Sequence, residues 1–198
     1  MNINLIETTL SECCIPPAMA LSVAFPEMLR YSLWRDLFET TSLELLYVHG
    51  GKNVANFSIG WLQMKPSFAE TIEKKIRNNA KFSFKYKSLI QYAKTDTINV
   101  RRERISRLKQ FEWQLQYLSA FIDINCNRLR LENIHYEQML MYLAAAYNRG
   151  MNSDISELAN FSNTKTFPYG PGKNNPFGFV EVAEYFFKAD AKQLFNNP

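Results

Sequence analysis

At 198 residues, 46% of them hydrophobic and 14% aromatic, the chain can bury well over half of its unfolded surface in one core without staples. A formal net charge of +4 favours an anionic partner, whether nucleic acid, an anionic membrane surface or a carboxylate-bearing polymer. Cys13, Cys14 and Cys126 lack C-x-x-C spacing and His49 and His135 stand alone, which argues against a zinc site, so neither metal nor other cofactor is expected. No apolar run reaches the length of a membrane span, and Glu7 and Glu12 stand where a secretory leader carries Lys or Arg, so the chain reads as soluble with no evident export signal.

Pro16-Pro17 opens an apolar helix, Ala18 to Phe25, which Pro26 breaks or kinks. Glu27 then falls at a corner between two helical stretches, either as a first-turn carboxylate complementing a helix dipole or as a functional acid set among Phe25, Pro26 and Met28. From Met28 to Val48 the pattern is helical, with Leu29, Leu33, Trp34 and Leu37 on one broad face and Gly50-Gly51 as the stop. Arg30 and Tyr31 share a face with Glu27, whereas Asp36 and Glu39 point away from it.

The stretch from Asn56 to Pro66 is apolar and aromatic. Gly60 marks a close approach of backbone or ligand, and Gln63 supplies a hydrogen-bonding group two residues beyond Trp61. Pro66 ends that stretch, and Ser67 with Glu70 forms a capping box that starts the next helix. Lys81 to Lys87 alternates basic and aromatic residues, as a short strand or the surface of a polyanion groove. Asn99 caps a long amphipathic helix that begins Arg101-Arg102-Glu103-Arg104 and runs past Ile122, its basic start a solvated face interrupted by Glu103 and Glu112. Asn133 caps another, which carries Ala144-Ala145-Ala146 to Tyr147-Asn148 and closes at Arg149-Gly150. A short helix follows Asp154. The loop from Asn163 to Gly178, holding Tyr169 and Pro171, is too long for a simple connector and borders a binding site, and a helix from Phe179 to Phe195 closes the domain.

Three separated pieces stand in one order: a helix leading to Glu27, then Gly60-Trp61-Leu62-Gln63-Met64-Lys65-Pro66, then Ala145-Ala146-Tyr147-Asn148-Arg149-Gly150. Together they resemble the soluble lytic transglycosylase and goose-type lysozyme superfamily, in which a helix ends in the catalytic Glu, a Gly-Leu-Met-Gln-x-x-Pro segment follows, and an Ala-Ala-Tyr-Asn-x-Gly segment comes later. The resemblance covers residues 17 to 190. It implies a mainly α, lysozyme-like fold with minimal sheet, around residues 52 to 60 or 81 to 87, and a single domain over residues 1–198. It puts the general acid and base on Glu27, the floor of a glycan cleft on Ser58, Gly60 and Gln63, and cleft-facing groups on Tyr147 and Asn148, with Tyr169 as a further substrate-binding candidate.

The implied partner is peptidoglycan in the cell envelope, cleaved between N-acetylmuramic acid and N-acetylglucosamine, with no nucleic acid. Desolvation by Phe25, Met28 and neighbouring aromatics is expected to raise the Glu27 pKa against the pull of Arg30. The product is the anhydro end of a lytic transglycosylase or the reducing end of a lysozyme. The chain departs from the family in having Met28 where Ser usually follows the Glu, and in longer intervals between the three pieces. Two other readings are a catalytically inactive glycan-binding cleft and a helical nucleic-acid-binding protein using Arg101, Arg102, Arg104, Arg107 and Lys109.

Overall fold

Asn2 opens the first helix, α1 (Ile3–Leu10), by accepting a hydrogen bond from the Leu5 N–H at 3.2 Å. The computed structural model describes residues 2–33, 40–170 and 172–196. Trp34, Asp36, Leu37, Glu39 and Pro171 lie outside them, as do the side chains of Tyr31 and Leu33. The second helix, α2 (Pro17–Leu33), continues through Pro26, so Glu27 lies inside a helix and not at the expected corner. A proline there costs about 3 kcal/mol in a lost hydrogen bond and a clash with the preceding turn. Every residue from Ala18 to Ala24 is buried, and Met19, Leu21 and Val23 each contribute about 1.5–3 kcal/mol, which outweighs the proline.

Helix α3 (Thr40–Gly50) stops at Gly51, whose φ of +75° lets its N–H reach the Tyr47 carbonyl at 2.7 Å. Pro66 begins α4 (Pro66–Arg77) at its first turn, with Lys65 as the N-cap. The expected capping box is absent. The Ser67 N–H donates to Asn56 Oδ1 at 3.2 Å, and Glu70 is drawn instead to the Tyr47 hydroxyl at 2.8 Å and to Lys52 at 3.4 Å.

The alternating segment at 81–87 is helical and not a strand, forming α5 (Ala80–Lys85) and α6 (Lys87–Ile90). Asn79 caps α5 by accepting from the Phe82 N–H, and the residues buried are Phe82, Tyr86 and Leu89. Their spacing of four and three is a helical period, which the alternating charges obscured.

The single long helix expected from Asn99 is two, α7 (Thr97–Leu108) and α8 (Phe111–Leu129). Asp96 is the cap, accepting from the Asn99 N–H at 3.0 Å. The Leu108 carbonyl, which a continuing helix would give to Glu112, instead accepts from Gln114 Nε2 at 2.7 Å. The basic start of α7 is a solvated face only in part: Arg102 is exposed and donates to Asn99 Oδ1 at 2.9 Å. Arg104 is buried, donating to both oxygens of fully buried Glu73 at 2.8 and 2.7 Å, where the Tyr117 hydroxyl also donates at 2.9 Å. Arg107 is buried against Glu103 at 2.7 Å and the Ser88 and Leu89 carbonyls at 3.2 Å. Arg101 donates to the Val48 and His49 carbonyls, and Lys109 pairs with Glu44 at 2.7 Å. Arg104 and Arg107 are thus consumed inside the fold, whereas Lys109 is exposed and paired at the surface.

Asn133 falls in a 3-10 turn (Leu131–Asn133), and His135 takes the cap position of α9 (Tyr136–Arg149), which closes at Gly150. A full capping box between Asp154 and Glu157 opens α10 (Ile155–Ser162). The small sheet lies in the long loop, where β1 (Lys165–Phe167) pairs antiparallel with β2 (Phe177–Gly178), and not at 52–60 or 81–87. Helix α11 (Phe179–Phe186), a π turn (Phe187–Ala191) and α12 (Lys192–Asn196) complete the chain. The result is a mainly helical protein with a minimal two-stranded sheet. Helix α8 runs through its core, buried along Leu115 to Cys126 and in contact with α1, α2, α4, α7 and α9. A Cys14–Cys126 disulfide ties the segment before α2 to α8, leaving the Cys13 thiol against the Ser119 hydroxyl at 3.1 Å.

Candidate active site

The Gly60 segment folds as a tight hairpin. The backbones of Ile59 and Met64 exchange two hydrogen bonds, at 3.0 and 3.1 Å, across a turn in which Gly60 and Gln63 take φ of +68° and +49°. Fully buried Gln114 on α8 holds this hairpin from beneath, accepting from the Leu62 N–H at 3.0 Å and donating to the Ile59 carbonyl at 2.7 Å. A Cβ on Gly60 would lie 2.0 Å from Gln114 Nε2 and 2.9 Å from the Leu108 carbonyl. Gly60 is therefore required by the approach of the protein's own interior.

The end of α9 reaches the hairpin's other side. Tyr147 packs edge-on to Phe68 and Phe121, with ring centroids 5.3 Å apart, and its hydroxyl donates to the Leu62 carbonyl at 2.8 Å. Burial, then the charge of Glu27, raise the pKa of that phenol well above its ordinary value, so it stays a neutral donor. One residue on, Asn148 Nδ2 donates to Glu27 Oε1 at 3.2 Å. Arg30, one helical turn beyond Glu27 on α2, donates to the same oxygen from Nη1 at 2.7 Å. Among the described residues none donates to Oε2. The Arg30 guanidinium also donates to the Pro168 and Thr166 carbonyls at 3.0 and 3.1 Å, and its carbon sits 5.5 Å from the ring centroids of Phe167 and Phe179. That side chain fastens the long loop beside the acid.

These elements enclose a cleft of about 690 Å³, within the range of ligand-binding pockets. Glu27, Ser58, Gln63, Tyr147 and Asn148 line it, and Glu27 is the one carboxylate among the described lining residues. Gly60 and exposed Tyr169 are not among them; Gly170 is the loop's contribution. Of the expected site residues, the structure thus brings five to one cleft. Gln63 uses its amide nitrogen on the Gly60 carbonyl at 2.8 Å, inside its own turn.

Burial raises the Glu27 pKa above the ordinary carboxylate value. The opposing effects, in order, are the charge of Arg30, the hydrogen bonds from Asn148 and Arg30, and the charge of Lys65. The 2.7 Å Arg30 contact alone favours a plain ion pair, but the carboxyl is mostly removed from water and the desolvation is the larger effect. Phe25 stacks on Phe186, and neither it nor Met28 lines the cleft. The apolar lining is Met64, Phe68, Tyr147, Met151 and Phe161. Lys65, Thr71, Arg149 and Asn152 are lining residues the sequence reading passed over. The signal for Lys65 and Arg149 was their place inside the two motif segments.

The chain matches no protein-family profile, no curated protein and no solved structure. Among the described residues no group of His, Cys, Asp or Glu is placed to hold a metal ion, and no helix is long and apolar enough to cross a membrane.

Proposed function

We propose that this chain is a lysozyme-like glycosidase of the cell envelope, a lytic transglycosylase that cleaves peptidoglycan between N-acetylmuramic acid and N-acetylglucosamine. The observation that carries the reading is the meeting of three segments far apart in sequence, through Asn148 Nδ2 on Glu27 Oε1 and the Tyr147 hydroxyl on the Leu62 carbonyl. With Arg30 and Asn148 both engaged on Oε1, the proton of the neutral acid resides on Oε2, the oxygen left to address a substrate. Glu27 gives that proton to the glycosidic oxygen as positive charge develops at the muramyl C1, and the bond to the departing sugar breaks. The lining carries no second carboxylate among the described residues, so the substrate's own acetamido oxygen closes on C1. Ionised Glu27 then takes the proton of the muramyl 6-hydroxyl, whose oxygen displaces the acetamido group and leaves a 1,6-anhydro end. Water in place of that hydroxyl gives a lysozyme product from the same residues.

The Arg30–Glu27 contact at 2.7 Å favours a second reading, a cleft that binds glycan without cleaving it. Digestion of purified peptidoglycan by the wild type and by Glu27→Gln, with released fragments read by mass spectrometry, separates the two. The catalytic reading requires anhydro ends whose release falls by about 10²–10⁴-fold in the variant, the usual range for a lost general acid. Reducing ends lost in the variant mean the hydrolase. No release by either protein, with glycan still bound, favours the non-catalytic cleft, and equal release by both removes Glu27 as the acid.

A further inference from the structure

The two motif segments leave certain positions open, and here cations fill one in each: Lys65, just before Pro66, and Arg149, between Asn148 and Gly150. Both line the cleft that holds Glu27. Arg30, the third cation of the cleft, is already spent on Glu27 and on the Thr166 and Pro168 carbonyls. The Lys65 and Arg149 side chains are exposed and, among the described residues, have no hydrogen-bond or ion-pair partner. Their backbones are nonetheless fixed. Lys65 is held extended as the N-cap of α4, between the Met64 bridge and Pro66, and Arg149 ends α9 one residue after Asn148. Beyond it Gly150 faces open space, with nothing within 4 Å of where a Cβ would stand. Lys65 is close enough to Glu27 for its charge to act on the carboxyl. A cleft with three cations, one acid, and two of the cations unspent is built for an anion beside the reacting bond.

We propose that Lys65 and Arg149 read a carboxylate carried by the muramyl residue, so that the cleft selects anionic glycan over neutral glycan of the same backbone. The inference rests on the glycan-cleaving reading above. The carboxylate is either the free lactyl group of a peptide-free strand or one belonging to a stem peptide, since amide linkage of the stem consumes the lactyl carboxylate. Arg149 presents a planar fork suited to two-point contact and Lys65 a point charge.

The test is titration calorimetry with Glu27→Gln protein, so that ligand is not turned over, on three tetrasaccharides. These are a neutral N-acetylglucosamine oligomer, a peptide-free N-acetylglucosamine–N-acetylmuramic acid oligomer, and the same oligomer bearing stem peptides. At least one anionic ligand should bind about tenfold more tightly than the neutral one, and this margin should shrink as salt is raised. Adding Lys65→Ala and Arg149→Ala should remove the margin between anionic and neutral ligands. Removing the same charge outside the cleft, with Lys81→Ala and Lys87→Ala, should leave the margin intact. Which anionic ligand gains identifies the lactyl or the stem carboxylate. Equal binding of all three ligands, a margin that survives in the cleft variant, or one lost equally in the control overturns the inference while leaving a glycan cleft standing. No binding to any ligand by Glu27→Gln protein or by the wild type overturns the glycan reading itself, and the inference with it.

Discussion

Replacing Gly60 with Ala tests whether the hairpin is held from the protein's interior or only by its own turn. At φ +68° an L-residue costs about 1–2 kcal/mol. The new methyl would also stand 2.0 Å from Gln114 Nε2, so the amide must leave its place. In doing so it surrenders the Leu62, Ile59 and Leu108 hydrogen bonds at 3.0, 2.7 and 2.7 Å, worth about 1 kcal/mol each in a buried setting. The total is about 4 kcal/mol, measured as lost unfolding free energy in urea. Gln114→Ala alone should cost about 3 kcal/mol for the same three bonds. The double variant therefore should not cost the sum: Gly60→Ala in the Gln114→Ala background retains the backbone strain and the Leu108 carbonyl contact, giving a coupling of about 2–3 kcal/mol. A Gly60→Ala protein within about 0.5 kcal/mol of wild type, or a double variant that adds simply, would refute an interior origin for the hairpin's shape.

Burial raises the Glu27 pKa above the ordinary 4.5, so the folded chain holds this proton more tightly than the unfolded chain. The stability it contributes is complete below the ordinary value and is lost as pH rises through the raised one; the wild-type stability minus that of Glu27→Gln should fall across this window in urea titrations, and a difference that grows with pH would mean that the Arg30 charge dominates. Arg104→Met should cost about 3–5 kcal/mol by stripping fully buried Glu73 of the guanidinium that bonds both its oxygens, leaving the longer 3.7 Å ion pair with Arg77, and a further Glu73→Leu should recover part of the loss; absence of recovery would assign the cost to packing. Burial pushes the Cys13 thiol up to about 12, so native protein should react slowly with a thiol reagent at pH 8, while denatured protein should show one thiol before reduction and three after it. Three thiols without reductant would rule out the Cys14–Cys126 bridge.

The parts of the cleft legible in the sequence were those with a strong local signature. Gln63, Tyr147 and Asn148 sit in short, ordered motifs, and Arg30 follows Glu27 by one helical turn. The misread parts were decided by partners far along the chain. Pro26 reads as a break, but burial of Ala18 to Ala24 carries α2 through it. Ser67 and Glu70 have capping-box spacing, yet Tyr47 and Lys52 claim Glu70. One amphipathic run spans Asn99 to Ile122, and the break near Lys109 comes from Gln114 taking the Leu108 carbonyl. Arg104 and Arg107 look solvated from their neighbours in sequence and are buried because Glu73 and the carbonyls of the Ser88–Leu89 turn meet them. Gly60 was read as the floor of the cleft when the close approach it permits is that of Gln114.

The Arg30 guanidinium is shared between the acid on α2 and two carbonyls of the long loop. That arrangement makes the loop part of the acid's electrostatic setting, though no loop side chain bonds Glu27 among the described residues. A chimera carrying another loop from residue 163 to 178, whose backbone turns the carbonyls at positions 166 and 168 away from Arg30, would leave Glu27 as Arg30's remaining hydrogen-bonded partner. The guanidinium would settle more fully on the carboxylate and shift its working range toward acid. Loop exchange in this protein is thus a way of tuning the pH of the chemistry as well as the shape of what is bound.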